Sequence, residues 1–426
     1  MAFIHFDEAK AAATTALRGW LAGMADVDRA LLIVDLYGKL RLAVWSEREP
    51  DFRSLDAILA APCGPWWSGE VLPISACDSG AGKLYEKAWA ESRPDAESAK
   101  LRVLDRHRTR TAWFTDTVDP LWEAPRQGPP IIVFYSFKGG LGRSTMLVSF
   151  AIQRARAGER VCVLDFDLDS PGVGTMLSAD AEGLTARWGV VDYLLERSQP
   201  DLPLGDYYHR CDRVAGSGEL IVFPAGLLNG EYADKLARLD LEEIPAAAAG
   251  GWAALLRHIQ TVIKPHWILL DARTGISEPA GLLLSGVANL HVLLGINQSQ
   301  SWEGLNRVLD RVGKERVLDD HPQSEVVLVH AMVPTGDAGK LAKSAFQARA
   351  ENEFSERYYA EVASAEMWDT RDMDSLDAPH VSIPVEYDAK LAAFGDVADV
   401  AESLCAGPYA ILAERIVNRF RVEGQE

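Results

Sequence analysis

The stretch that decides the fold runs from Val133 to Ala151 and reads VFYSFKGGLGRSTMLVSFA. An apolar run typical of a buried strand leads into three glycines, and a helical pattern that ends near Gly158 follows them. A strand, a glycine-rich loop and a helix in this order can hold phosphate, because backbone N–H groups and the helix N-terminus attract anions. The common spacing, GxxxxGK[ST], is altered here: Arg143 stands where the lysine is expected, and Lys138 precedes the glycines.

Further apolar runs rich in Val, Ile and Leu follow this stretch and alternate with helical segments. Unbroken apolar strands of this kind predict an α/β domain with a mostly parallel sheet flanked by helices on both faces. The strands are predicted at residues 131–136, 160–167, 219–226, 266–271, 289–296 and 325–333.

The first part of the chain, residues 1–122, has a different pattern and is expected to form a small α+β domain. A helical pattern runs over residues 7–24, and two apolar runs around a Tyr-Gly-Lys turn predict a hairpin over residues 30–46. The segment 123–130, EAPRQGPP, contains three prolines and a glycine, which forbid regular structure. It is the predicted linker to the α/β domain of residues 131–426.

The composition of the chain disfavours several functions and kinds of structural site. The chain has 426 residues and a formal net charge of −19, so it gains little from neutralising phosphates, and broad non-specific nucleic-acid binding is disfavoured. The five cysteines are widely spaced and form no CxxC pair, which argues against a disulfide framework and a zinc site. The N-terminus shows no basic segment followed by an apolar run. These features favour a cytoplasmic protein with reduced thiols.

Carboxylates follow two of the predicted strands. Asp165, Asp167 and Asp169 come at the end of the second strand, and Asp271 ends the fourth. Parallel α/β sheets bind ligands at the carboxyl ends of their strands, so we expect these acids to lie beside the glycine loop. With the hydroxyl of Ser144 they offer the oxygen ligands that Mg²⁺ prefers beside a nucleoside triphosphate. Asp169 is expected to be a solvated loop acid.

The glycine loop resembles the deviant Walker A motif, KGGxGK[ST], of the ParA/MinD class of ATPases. More narrowly, it is similar to the KGGVGR-motif variants, in which arginine replaces the second lysine. The resemblance includes both strand ends and covers residues 131–426 in order. It implies a P-loop NTPase fold with ATP and Mg²⁺ as cofactors. The nucleotide-binding residues that it implies are Lys138, Gly139, Gly140, Leu141, Gly142, Arg143, Ser144, Thr145, Pro334 and Asp388.

The same resemblance implies roles for the acids and for the early lysine. Asp167 would orient the attacking water, and Ser144 would ligate magnesium directly. Asp165 would lie close to the magnesium shell, and Asp271 would hold the metal through water. Lys138 would act in catalysis by reaching across a two-fold interface to the phosphates of a second copy, so that ATP binding favours a homodimer.

Together these features predict a slowly hydrolysing ATPase that acts as an ATP-dependent dimerising switch and signals to a protein partner through its first domain. ATPases with this arginine variant of the motif resemble components of bacterial conflict and regulatory systems. The alternative is a scaffold that holds nucleotide with negligible turnover, which Arg143 favours and Asp167 opposes. A bacterial tyrosine kinase ranks last, because Tyr409 is the only tyrosine after Tyr387.

Two segments raise the question of membrane and nucleic-acid partners, neither of which is favoured. The final helical pattern, residues 408–422, is amphipathic and carries three arginines, which suits a membrane-binding helix. Packing on the sheet is the commoner role of such a helix. The basic stretch 101–114 suits contact with nucleic acid, although a solvated face is the commoner explanation.

Overall fold

The chain divides into two compact units, residues 1–109 and residues 110–426. Each unit has its own sheet and hydrophobic core. Trp113, Leu121 and Trp122, which the sequence pattern placed before the linker, pack with the core of the second unit. The computed structural model describes residues 4–46, 51–74, 80–106, 113, 121–197, 199, 202–239, 251–284, 287–315, 325–359, 375–392 and 394–421.

The first unit is a mixed sheet of five strands in the order β3-β2-β1-β5-β4, with helices on both faces. Strands β1 and β2 pair antiparallel, which confirms the predicted hairpin. Residues of α1 and α2 pack on one face of the sheet, and residues of α3 pack on the other. The elements are α1 (Phe6–Ala22), β1 (Val27–Val34), β2 (Leu40–Ser46), α2 (Phe52–Cys63), β3 (Trp67–Ile74), α3 (Gly80–Glu91), β4 (Arg93–Pro94) and β5 (Leu101–Asp105).

Asp35 fixes the turn of this hairpin. Its Oδ1 accepts hydrogen bonds from the backbone N–H groups of Tyr37 and Lys39, both at 2.9 Å. Gly38 takes φ 77°, a conformation that residues with a Cβ rarely adopt. The side chain of Asp35 thereby adds to the backbone hydrogen bonds of the turn, in which the N–H of Gly38 donates to the carbonyl of Asp35 at 3.0 Å.

The second unit contains the predicted α/β fold, and within its described residues every strand pairing is parallel except that of β8 with β9. The sheet has eight strands in the order β13-β12-β11-β6-β10-β7-β9-β8, so the strand that leads into the glycine loop, β6, is central. The strands are β6 (Ile131–Ser136), β7 (Arg160–Phe166), β8 (His209–Arg210), β9 (Glu219–Phe223), β10 (Trp267–Ala272), β11 (Leu290–Gly295), β12 (Glu325–Val333) and β13 (Ile383–Glu386).

Helices cover both faces of this sheet. Alternate residues of β6 enter the two cores: Val133 and Tyr135 belong to one, and Ile132 and Phe134 belong to the other. This double burial explains why the strand is apolar throughout. The helices are α4 (Arg143–Arg156), α5 (Val173–Met176), α6 (Val190–Glu196), α7 (Asp212–Ala215), α8 (Tyr232–Arg238), α9 (Gly251–Val262), α10 (Glu278–Leu283), α11 (Ser299–Glu315), α12 (Gly336–Phe354), α13 (Ala389–Ala392), α14 (Val397–Leu404) and α15 (Pro408–Asn418).

The proline-rich segment before β6 is bonded to the second unit. Trp122 is buried in the core of that unit, and its Nε1 donates to the carbonyl of Pro129 at 2.7 Å. Asn289 holds both ends of the segment: its Nδ2 donates to the carbonyl of Trp122 at 3.2 Å, and its Oδ1 accepts from the N–H of Ile131 at 2.9 Å. The segment therefore forms part of the second unit and is not a free connection.

The C-terminal helix α15 packs on α4 with its apolar side, where Leu412 and Ile416 are fully buried. Its arginines bond within the same unit: Arg415 donates to the carbonyl of Leu376 at 3.0 Å, and Arg419 pairs with Glu325 at 3.1 Å. The apolar side of the helix and two of its arginines are thus engaged with neighbouring segments, while Ile411, Glu414 and Asn418 are exposed.

Two further findings concern membrane spans and cysteines. In the part that the structure describes, no helix combines the length and apolar character that a membrane span requires. The cysteines of that part are free thiols, namely Cys63, Cys162, Cys211 and Cys405. Half of the basic stretch 101–114, namely residues 107–112 and 114, lies outside the described residues, and so does Cys77.

Candidate nucleotide-binding site

A cavity of about 460 Å³ opens at the carboxyl ends of the parallel strands of the second unit. It is lined by the glycine loop from Gly139 to Thr145, by Asp167 after β7, and by Arg273 after β10. Residues 385–388, at the end of β13, line the opposite side. Three predicted parts, namely the loop, an acid and the segment of Asp388, therefore meet in one cavity.

The glycine loop has the backbone conformation that only glycine adopts readily. Gly140 and Gly142 have φ of 77° and 81°, and nothing lies within 4 Å of a Cβ built on either residue. Strand β6 ends at Ser136, whose Oγ donates to the carbonyl of Lys138 at 2.9 Å, and α4 begins directly after the glycines. The N–H groups at the start of α4 therefore border open space, as an anion cradle requires.

Arg143 takes a position that the sequence did not predict. Its side chain is buried, and it bonds to two carboxylates: Nε donates to Oδ1 of Asp271 at 2.6 Å, and Nη2 donates to Oδ2 of Asp167 at 2.9 Å. Nη2 also lies 3.3 Å from Oδ2 of Asp271. Nη1 is buried and has no hydrogen-bond partner in the part of the chain that the structure describes. In this structure the arginine joins two acids that come from different strands.

Asp271 is the meeting point of these interactions. It is fully buried at the end of β10, and its Oδ2 also accepts from Oγ of Ser144 at 2.7 Å. Burial raises the pKa of Asp271 above its ordinary value, while the charge and hydrogen bonds of Arg143 oppose that rise. Ser144 and Asp271, the two groups predicted to hold magnesium, are therefore in direct contact.

Asp165 lies deeper than the other acids and is bonded to backbone. Its oxygens accept hydrogen bonds from the N–H groups of Asp167, Gly172 and Val173 at 3.0–3.1 Å. Burial, followed by the nearby charge of Asp271, raises the pKa of Asp165 to about 7. The described contacts give Asp165 the role of fixing the loop after β7. Asp165 borders a separate cavity of about 210 Å³ and does not line the cavity of the glycine loop.

Lys138 and Pro334 lie outside the lining of the cavity. Nζ of Lys138 donates to Oε1 of Gln298 at 2.7 Å on the outer side of the loop. Pro334 is exposed after β12. The proposed contacts of these two residues with nucleotide remain predictions.

Several lining residues were not among the individually predicted site residues. Arg273 contacts Asp169 through Nη1, and the same nitrogen lies 3.8 Å from Oδ1 of Asp167. Its position two residues after Asp271 was the available signal. Met332 and Tyr387 line the side towards β13, and both are partly exposed in the cavity. Met332 has φ 54°, which a non-glycine residue seldom adopts, but nothing in the sequence indicates this conformation.

The donor set fits a magnesium ion that is bound together with a nucleotide. The hydroxyl of Ser144 and the carboxylate of Asp271 are hard oxygen ligands of the kind that Mg²⁺ prefers, and the carboxylate of Asp167 lies beside them. Among the described residues no group of three or more His, Cys, Asp or Glu side chains is arranged to hold a metal ion. The remaining ligands of a full shell would therefore come from phosphate and water, as in other sites of this kind.

Comparison with known families concerns the segment that carries the loop. Residues 129–195 match the family model ParA, described as NUBPL iron-transfer P-loop NTPase. This match extends from the end of the proline-rich segment to α6 and includes the glycine loop and Asp167. The segment is thus similar to a P-loop NTPase of the ParA/MinD type. No curated protein matches the chain.

Solved structures with a similar fold include three from different organisms. MinD cell division protein of Aquifex aeolicus is 16% identical, with a TM-score of 0.40 over 70% of this chain and 100% of that one. A variant of McdA from Cyanothece, in complex with ATP, is 12% identical, with a TM-score of 0.44 over 70% and 99%. The kinase domain of the Escherichia coli tyrosine kinase ETK is 13% identical, with a TM-score of 0.31 over 47% and 68%.

Proposed function

We propose that this protein is a magnesium-dependent ATPase of the ParA/MinD type that binds ATP, hydrolyses it slowly and forms a homodimer while ATP is bound. The observation that carries the proposal is the cavity that gathers the glycine loop, Asp167 and Asp388 at the carboxyl ends of parallel strands. The match of residues 129–195 to a P-loop NTPase family supports the same assignment.

In this proposal the protein positions the triphosphate through its backbone. The N–H groups of residues 139–145 hold the phosphates, and the N-terminus of α4 favours their negative charge. Ser144 and Asp271 hold Mg²⁺, which draws negative charge from the phosphate oxygens when it is bound. The base lies towards Tyr387 and Asp388, where the cavity combines an aromatic surface with a carboxylate.

Asp167 is the proposed water-orienting residue. It is 7% exposed, and its Oδ1 is buried without a hydrogen-bond partner among the described residues, which leaves an acceptor that a water molecule can satisfy. A carboxylate in this place can align a water molecule for attack on the terminal phosphate, which is the protein contribution that slow nucleotide hydrolysis requires.

The homodimer is proposed from the position of Lys138. This lysine is outside the cavity of its own chain, so its ammonium group is available to the phosphates of a second copy. A charge supplied by a second copy makes ATP bind the dimer more tightly than the monomer, which shifts the population to the dimer.

Solution mass tests this function. The purified chain is measured by light scattering with Mg-ATP, with Mg-ADP and without nucleotide, beside Asp167→Ala and its matched control Asp169→Ala. We expect a dimer with ATP alone, which persists longer in Asp167→Ala than in the control. Lys138→Ala should bind ATP and stay monomeric, whereas Lys340→Ala, a change at an exposed lysine of α12, should dimerise normally. A mass that is equal in all three conditions contradicts the dimerising switch.

A nucleotide-binding scaffold with negligible turnover is the second candidate. The hydrogen bonds of Arg143 to Asp167 and Asp271 favour it, because they engage both acids that hydrolysis would need. ATP binding with a normal affinity but without release of phosphate by the wild-type protein would support the scaffold.

The remaining assignments concern the surroundings of the site. We propose that the N-terminal domain, placed at residues 1–122 by the sequence pattern, binds a protein partner in a bacterial conflict or regulatory system. The free thiols of the described cysteines suit a cytoplasmic location. The packing of α15 leaves membrane binding disfavoured. Affinity capture with the whole chain, compared between ATP and ADP and with a chain that lacks the first domain, tests the partner.

A further inference from the structure

The guanidinium of Arg143 lies among the side chains that would surround a bound metal ion. Arg143 bonds to Asp271 at 2.6 Å and to Asp167 at 2.9 Å, while Ser144 bonds to Asp271 at 2.7 Å. These contacts engage the hydroxyl and both carboxylates that the proposed function assigns to magnesium and water. The positive charge of Arg143 therefore fills the electrostatic role that a divalent cation would have at these acids.

Because the two carboxylates are buried, the nucleotide-free protein needs the positive charge of Arg143 beside them. Asp271 is 1% exposed and Asp167 is 7% exposed, and a buried carboxylate without a cation is strongly destabilising. Arg273 offers limited compensation, because its Nη1 lies 3.8 Å from Asp167 and contacts the more exposed Asp169. Arg143 is thus the main cation that faces these two acids.

We propose that Arg143 is a positioning residue that holds the place of magnesium in the nucleotide-free protein, and that triphosphate binding draws it away so that the metal enters with the nucleotide. The inference rests on the proposed function, since it assigns a step of ATP binding to the same cavity. It explains why an arginine can occupy the lysine position: the side chain pairs with the two carboxylates before ATP binds and with the phosphates afterwards.

The guanidinium has a donor with which a phosphate can engage it. Nη1 of Arg143 is buried, has no hydrogen-bond partner within the described part of the chain, and belongs to a residue that lines the cavity. An unsatisfied buried donor is unfavourable, so an incoming phosphate oxygen gains a charge-assisted hydrogen bond at that nitrogen. Each phosphate contact then competes with the contacts to Asp167 and Asp271.

The planar group is suited to this double role in a way that lysine is not. Arginine presents nitrogens in a fixed fork and joins two carboxylates at once, as Nε and Nη2 do here. A lysine ammonium is a compact point charge on a flexible stem. We therefore expect Arg143→Lys to neutralise the acids less completely and to leave them partly open to a metal ion.

The test measures magnesium binding without nucleotide. Thermal unfolding of wild type, Arg143→Met and the control Arg154→Met is followed while Mg²⁺ alone is added. Arg154 is on the same helix but pairs with Glu159, outside the cavity. We expect the midpoint of Arg143→Met to rise by about 2–4 °C at tenfold excess of Mg²⁺ over its Kd, and the midpoints of wild type and control to stay constant.

Three results would overturn the proposal. They are an equal Mg²⁺ response in wild type and Arg143→Met, a folded Arg143→Met without any response, and a response of Arg154→Met that equals that of Arg143→Met. If Arg143→Met does not fold, Arg143→Lys replaces it, and a Mg²⁺ response equal to that of wild type then counts against the proposal. Failure of wild type to bind ATP would instead contradict the proposed function, so the two failures are distinguishable.

Discussion

At the scale of single residues, two glycines with nearly equal φ allow the effect of backbone strain on stability to be measured apart from the effect on ATP binding. Gly140 in the loop has φ 77° and Gly69 in β3 has φ 76°, and neither has an atom within 4 Å of a built Cβ. We expect Gly140→Ala and Gly69→Ala each to lower stability by about 1–2 kcal/mol, because both put an L-residue into the left-handed region.

The ATP affinity of these two variants should differ. The added methyl of Gly140→Ala enters the cavity, so its ATP affinity should fall about tenfold or more through lost phosphate contacts. Calorimetric titration with ATP, beside denaturant unfolding, measures both quantities. Equal affinities in the two variants would contradict the assignment of the loop.

Arg143 shows what sequence could and could not predict about the site. The order of motifs led us to expect the acids beside the glycine loop, and the loop and Asp167 border one cavity, because spacing fixes the backbone of a strand, loop and helix. The direction of the arginine side chain could not be predicted. It depends on Asp271, which is 128 positions away, and on the balance between phosphate and carboxylate as partners of a long side chain.

At the scale of elements, α15 offers two neighbouring positions that test how the helix is used. Leu412 is 1% exposed against α4, whereas Ile411 is 53% exposed. We expect Leu412→Ala to lower the free energy of unfolding by about 2–4 kcal/mol and Ile411→Ala to change it by less than about 0.5 kcal/mol. Denaturant titration checks this, and equal losses would contradict packing of α15 on the sheet.

Strand β12 carries a buried histidine that makes stability depend on pH. His330 stacks on Phe346 with ring centroids 4.0 Å apart, and burial, assisted by the charge of Lys343, lowers the pKa of His330 to about 4. The unfolded side chain titrates near 6.5. Above that pH the ring is neutral in both states. As the pH falls from 6.5 towards 4, only the unfolded chain takes up the proton, so stability is lost.

The loss from His330 should reach roughly 3 kcal/mol at pH 4. His330→Gln removes this contribution, and the variant should therefore lose less stability than wild type between pH 6.5 and pH 4. Urea unfolding at a series of pH values measures the difference. Parallel pH profiles for the two proteins would show that the histidine is not neutral when folded.

The elements that sequence predicted well are those with a repeated pattern. The hairpin of β1 and β2 and the apolar strands of the large sheet were found because burial on two faces or around a turn leaves a periodic signal. Strand β13, whose residues alternate between buried and exposed over four positions, is not among the predicted strands. Such a short edge strand exists because β12 lies beside it, and no local pattern reveals that neighbour.

At the scale of the whole molecule, the boundary between the two units can be tested by truncation. Trp122 is 6% exposed and bonds to Pro129, so the segment before β6 belongs to the second core. We expect a chain of residues 110–426 to be more stable than a chain of residues 131–426 by about 3 kcal/mol or more, because the shorter chain loses a buried tryptophan. Equal unfolding midpoints would place the boundary at the proline-rich segment instead.

The order of strands in the large sheet has a consequence for synthesis on the ribosome. Ile131 of β6 pairs with Ile268 of β10, and Ile132 pairs with Leu290 of β11, so both neighbours of the central strand are translated long after it. At about 5–20 residues per second, the apolar strand waits many seconds for its partners. During that interval β6 is a template for wrong pairing and a natural binding site for a chaperone. The nascent chain therefore acquires a complete phosphate cradle late, after β10 and β11 have left the exit tunnel.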